Sequence, residues 1–103
     1  MTTINISSAR VNAAARHALI DLQGKYIKVN DECTEAKKEY YKNILSGSNF
    51  AYYVMMACWD RLKALVVKKQ RVEMLIKASE VADSSSQSLS LSLEDMGLVK
   101  EYL

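Results

Sequence analysis

Proline is absent from this 103-residue chain, and glycine occurs only at positions 24, 47 and 97. Average usage would supply roughly five prolines in a hundred residues. With so few breakers, and with Ala, Leu, Lys, Glu and Met abundant, long helices meet little opposition. The chain holds one histidine, His17, and two cysteines, Cys33 and Cys58. One histidine without HExxH-like spacing, and two cysteines without a CxxC, supply no zinc or thioredoxin-like motif. No metal or other cofactor is therefore expected. His17 reads as a surface or half-buried structural residue, and the two thiols read as buried in a reducing cytosol.

Long hydrophobic runs are missing as well. The longest, Phe50 to Trp59, is ten residues, against the ~20 needed to span a bilayer. The opening MTTINISSAR lacks the basic-then-apolar design of a signal peptide. The expectation is a cytoplasmic protein with no membrane association. Phosphate-binding glycine loops and nucleophile elbows are also lacking. Asp31, Glu32, Glu35 and Glu39 form an acidic stripe, but Lys28, Lys38 and Lys42 lie close by, so it reads as a solvated ion-pair face. We expect no enzyme.

What is present is helical periodicity. Half the residues are apolar and a quarter charged, the composition of one globular domain. The fold class is all-α. Ser7 or Ser8 can cap a first helix. From there Val11, Ala15, Ala18, Leu22, Tyr26, Val29, Cys33, Ala36, Tyr40 and Ile44 recur at steps of three and four, close to the ~3.6 of a straight helix. This predicts a helix over about 8–45 that runs through Gly24, with a break into 8–22 and 25–45 as the alternative. Ser46-Gly47-Ser48-Asn49 is the clearest punctuation, with Gly47 closing one helix and Ser48 or Asn49 capping the next. So short a connection makes the second helix, about 49–82, an antiparallel neighbour, and the whole a long helical hairpin.

The second helix carries two apolar series. One is Val54, Cys58, Leu65, Val72 and Ile76, and the other is Tyr52, Met55, Trp59, Leu62 and Val66. Read as lying on roughly opposite sides, they demand two partners: the first helix, and either the C-terminal segment or another molecule. The expectation is a homo-oligomer, a dimer first, as a helical bundle or coiled-coil-like assembly. Val54, Cys58, Leu62, Leu65, Val66 and Val72 are its candidate self-association residues.

After the hairpin domain, 1–82, residues 83–92 (DSSSQSLSLS) read as a serine-rich linker, although the alternating leucines, like Ile4 and Ile6 near the start, also suit a short strand. Ser92-Leu93-Glu94-Asp95 resembles a capping signal for a short C-terminal helix or tail over 93–103, with Leu93, Met96, Val99 and Leu103 on one side. Charge is uneven: residues 49–82 carry six basic and three acidic groups, residues 83–103 one and four. The acidic tail can therefore fold back on the basic helix.

Six of the eight aromatics, Tyr40, Tyr41, Phe50, Tyr52, Tyr53 and Trp59, crowd around the turn. Tyr and Trp bring large contact area with few rotatable bonds, and methionine adds adaptable contact. Adjacent helical residues point ~100° apart. Tyr40 continues the core series, so Tyr41 should face outward. Tyr41, Tyr52, Tyr53, Met55 and Trp59 are the candidate partner-binding residues. The function expected is a small non-enzymatic protein–protein interaction protein: an adaptor, a chaperone or an inhibitor, phage-encoded inhibitors of host machinery included. The alternative is a dimeric helical nucleic-acid-binding regulator that uses the edge formed by Arg61, Lys68 and Arg71.

Overall fold

The computed structural model describes residues 3–45, 47, 49–84 and 88–103. Five elements follow one another: strand β1 (Thr3–Ser7), helix α1 (Ser8–Lys42), helix α2 (Phe50–Ser84), strand β2 (Ser88–Ser92) and helix α3 (Leu93–Val99), and a 3-10 turn closes the chain at Lys100–Tyr102. The two long helices pack against each other as an all-α hairpin with a short C-terminal helix. Backbone contacts divide the chain into two compact units. One comprises the residues up to Leu22 together with Lys68–Leu103, and the other is Gln23–Val67.

Helix α1 begins where the Arg10 amide donates to Ser7 Oγ at 3.5 Å, a long version of the expected cap. It runs through Gly24 without interruption, so the two-helix alternative does not occur. It stops at Lys42, about three residues before the predicted end. There the Asn43 side-chain amide donates to the Glu39 carbonyl at 2.8 Å, and the Asn43 N–H is shared between the Glu39 and Tyr40 carbonyls. Two of the carbonyls left over at the end of the helix are thereby satisfied. Gly47 has φ 77°, the left-handed conformation in which only glycine carries no Cβ penalty. The Asn49 carbonyl accepts the first intrahelical bond of α2, from the Tyr53 N–H at 3.1 Å. The capping role suggested for Ser48, like the Ser46 position, lies outside the described residues.

In the Gln23–Val67 unit, Val29, Cys33 and Leu62 are buried together, and Tyr26, Cys58, Trp59 and Leu65 pack against them. In the other unit Val11, Ala14, Ala15, Ala18 and Leu22 of α1 are buried, with Val72, Leu75 and Ser79 of α2. The Ser79 hydroxyl accepts from Asn12 Nδ2 at 2.9 Å and donates to the Ile76 carbonyl at 2.7 Å. The most buried polar side chain of α2 is thus fully partnered.

Two expectations need correction here. The two apolar series of α2 are not opposite. At ~100° per residue they centre about 100° apart and form adjacent halves of one wide stripe. Leu62 and Val72 lie inside the protomer, and Cys58, Leu65 and Val66 are half-buried. The demand for a second molecule therefore falls away.

The serine-rich stretch, secondly, is not a tether throughout. Residues 88–92 pair antiparallel with 3–7, with Ile4 opposite Leu91 and Ile6 opposite Leu89. These four apolar residues share one face of the ribbon. On the other face Ser90 Oγ donates to Asn5 Oδ1 at 2.6 Å. An isolated two-stranded ribbon is marginal in water. This one is anchored by Leu91, 1% exposed, beside Arg71, Leu75 and Ala78 of α2. The stretch 85–87 lies outside the described residues.

The C-terminal segment docks. Ser92 Oγ accepts from the Asp95 N–H at 3.2 Å as the N-cap of α3, and Val99 is fully buried. Arg71 binds Glu94 at 2.7 Å and Asp95 at 3.5 Å, so the acidic tail does fold onto the basic helix. Arg10 Nη2 donates to the Leu103 main-chain oxygen at 3.0 Å. The Tyr102 hydroxyl donates to the Asp21 carboxylate, which holds its proton and raises its pKa. Leu93, expected on the packed side, is instead largely exposed.

Candidate interaction surface

Among the described residues, those flanking the turn present the largest concentration of exposed apolar side chains. The four tyrosines make a continuous chain of ring contacts. Tyr40 meets Tyr41 edge-on at 5.6 Å, Tyr40 meets Tyr52 at 5.8 Å across the two helices, and Tyr52 meets Tyr53 edge-on at 5.7 Å. These offset and edge geometries suit the ring quadrupoles. Tyr40 is half-buried while Tyr41 is 58% and Tyr53 64% exposed. The ~100° step between neighbours separates one inward ring from one outward ring, as the α1 series implied. Lys37 Nζ lies 5.9 Å from the Tyr41 ring centroid, a surface cation–π contact.

Of the other nominated partner-binding residues, Tyr52 is also exposed, but Met55 and Trp59 are half-buried. Trp59 packs on the Val29–Cys33–Leu62 cluster, so it belongs to the interior and not to the exposed surface. Three further residues enlarge the surface: Ile44, Leu45 at 97% exposure and Phe50 at 75%. Ile44 continues the core series of α1 in the sequence, but the helix stops two residues earlier, so the phase no longer applies. Leu45 stands beyond the last helical turn, next to the Gly47 punctuation. An apolar residue in that position is the signal that would have identified it. Between the helix ends lies a cleft of about 300 Å³ bounded by Tyr40, Ile44 and Tyr52, with Asn43 and Asn49 supplying amide groups. A lining that offers rings and amide groups in comparable share suits a side chain with an apolar body and a polar tip.

The alternative basic edge is differently placed. Arg61 donates to Glu32 at 2.9 Å, and Arg71 is held by Glu94 and Asp95, while Lys68 is exposed. Two of the three cations thus already face carboxylates. The self-association candidates fare similarly: Leu62 and Val72 are enclosed, and only Val54 is classed as exposed. The acidic stripe carries surface pairs, Lys38–Glu35 at 3.3 Å and Lys42–Glu39 at 3.5 Å. Exposed His17 stacks at 6.2 Å on Tyr102.

Among the described residues no group of three His, Cys, Asp or Glu side chains could hold a metal ion. No helix among them is long and apolar enough to cross a membrane. Comparison with family models, with curated proteins and with solved structures returns no match.

Proposed function

We propose that this chain is a small non-enzymatic protein-interaction module, an adaptor, chaperone or inhibitor, that docks a protein partner on the surface formed by Tyr41, Tyr53, Phe50, Ile44 and Leu45. The observation that carries this reading is the exposure of these large side chains within one short stretch on either side of Gly47. Rings already ordered by neighbouring rings lose little freedom on binding, which is why aromatic anchors dominate interface energetics. Self-association as a dimer is proposed through this same surface, since Leu62 and Val72 are occupied within the protomer. A cytoplasmic setting belongs to the reading, because two unlinked thiols suit a reducing compartment. The nucleic-acid alternative would have to break the carboxylate contacts of Arg61 and Arg71 before either could reach a phosphate.

The test is the double substitution Tyr41→Ser with Tyr53→Ser, assayed by pull-down from extracts of the source cells and by thermal melting. The expected result is loss of the partner captured by the unsubstituted chain, worth about 2 kcal/mol or more, with the melting temperature little changed. Retention of the partner by the double variant overturns the reading. A salt titration separates the alternative, because phosphate binding weakens steeply with salt and an aromatic interface barely responds.

A further inference from the structure

The cluster at the centre of the Gln23–Val67 unit contains both cysteines of the chain, one from each helix. Cys33 of α1 is buried with Val29 and Leu62, and Cys58 of α2 packs against them. Both are free thiols. Both thus belong to one packed cluster that joins the two helices. The Cys33 thiol is pushed above its ordinary pKa first by burial, then by the charge and hydrogen bonding of the Cys58 thiol beside it. Their access to solvent differs. Cys58 is half-buried and lines an open groove of about 560 Å³, with Val54, Ala36 and Glu35 among its neighbours. Cys33 is enclosed and does not line that groove.

We propose that Cys33 and Cys58 form a redox-convertible dithiol, in which Cys58 is the entering thiol, Cys33 the resolving thiol, and the product a disulfide joining α1 to α2. The oxidant class is a small disulfide, such as oxidised glutathione, that reaches Cys58 through the groove. Cys58 gives up its proton, and its thiolate attacks one sulfur of the oxidant. The S–S bond of the oxidant breaks, one glutathione thiolate leaves, and Cys58 is held as a mixed disulfide. Cys33 then loses its proton and attacks Cys58 Sγ, breaking the mixed bond and releasing the second glutathione. Two protein thiols lose two electrons, and one glutathione disulfide becomes two glutathione thiols.

The order of events follows from the site. Burial keeps Cys33 protonated and out of reach of the oxidant, while its position beside Cys58 gives the second step a high effective concentration. The disulfide encloses residues 34–57, a loop that contains Tyr40, Tyr41, Phe50, Tyr52 and Tyr53. Closing that loop restricts the unfolded chain and thereby raises stability. The proposal concerns the thiols and stands without the partner-binding reading.

The experiment equilibrates the full chain in glutathione mixtures from fully reduced to fully oxidised, alkylates the remaining thiols and maps the peptides by mass spectrometry. The expected product is an intramolecular Cys33–Cys58 cross-link with a melting temperature several degrees above that of the dithiol form. In the reduced chain under native conditions, iodoacetamide should modify Cys58 roughly ten-fold faster than Cys33. Cys33→Ala should accumulate a mixed disulfide at Cys58, whereas Cys58→Ala should leave Cys33 unmodified. Should Cys33→Ala fail to fold, the alkylation ratio of the unsubstituted chain decides the order of attack. Thiols that stay free in oxidised glutathione overturn the proposal. So do disulfide-linked dimers as the main product, or equal alkylation of the two cysteines.

Discussion

At single positions the size of a substitution's effect follows the burial and the partners of the side chain it removes. Tyr40 and Tyr41 are adjacent, yet one is half-buried and the other exposed, because the α1 repeat continued into Tyr40 and fixed the direction of its neighbour. Leu91 was not legible in this way. It sits in a serine-rich stretch and is nevertheless 1% exposed, since the strand that orders it comes from the other end of the chain. Leu91→Ala should therefore lower stability by about 2–5 kcal/mol, the cost of emptying a buried leucine site, measured by urea denaturation. An effect below about 0.5 kcal/mol would restore the tether reading. Gly24 makes the opposite case. It lies exposed inside α1, and an added Cβ would meet nothing within 4 Å. Gly24→Ala should stabilise the protein by up to about 1 kcal/mol through backbone entropy and helix propensity. Cys33 sets a pH dependence. Its folded pKa is raised by burial and by Cys58, so below the ordinary thiol range both folded and unfolded chains hold the proton. As pH rises beyond that range, the unfolded chain ionises first and stability falls until the folded thiol ionises too. Denaturation midpoints across alkaline pH should show this decline, and Cys33→Ala should remove the part that begins in the thiol range, leaving the part at higher pH that comes from the raised pKa of Tyr102.

At the scale of elements, legibility tracked locality. The α1 repeat from Val11 to Tyr40 coincides with the face that α1 packs, because a single stripe on a long helix is a local property. On α2 both apolar series are visible in the sequence, but they lie about 100° apart instead of on opposite sides, so the pattern alone does not demand a second molecule. The serine and leucine alternation of 88–92 and the isoleucine alternation of 4 and 6 were each visible too. Neither five-residue run can stand alone, and nothing local announces that they pair with each other. The Ser92 cap of α3 was legible as a local serine-to-acid spacing. Because α3 has only seven residues, it cannot hold itself together in water, and the cap is a large share of its stability. Ser92→Ala should cost about 1 kcal/mol and raise amide exchange across Leu93–Val99. By contrast Arg71→Ala should cost no more than about 1 kcal/mol. Its side chain is 44% exposed and its pairs with Glu94 and Asp95 are surface contacts.

For the whole molecule the division into two units governs where the fold should yield first. The unit that unites the residues up to Leu22 with Lys68–Leu103 contains helix, strand and tail contacts, and it buries Val11, Ala14, Ala15, Ala18, Val72, Leu75, Leu91 and Val99. The Gln23–Val67 unit relies on a slimmer cluster around Val29, Cys33 and Leu62, and the rings beside its turn remain exposed. Local opening free energy follows the apolar area that must be exposed in the opening. Amides of Val11–Leu22 and Val72–Ser79 should therefore exchange at least ~10-fold more slowly than those of Tyr26–Ala36 and Val54–Leu65. Native-state hydrogen exchange resolved by peptide reads this directly. The same measurement tests whether the contact division has an energetic meaning. Uniform protection along both long helices would show that the hairpin opens as a single cooperative body, and faster exchange in the Val11–Leu22 segment would reverse the expected order. The expected order leaves the turn-proximal unit the more adaptable of the two, as the proposed docking of a partner on its exposed rings requires, while the strand-buttressed unit holds the two long helices in their antiparallel pairing.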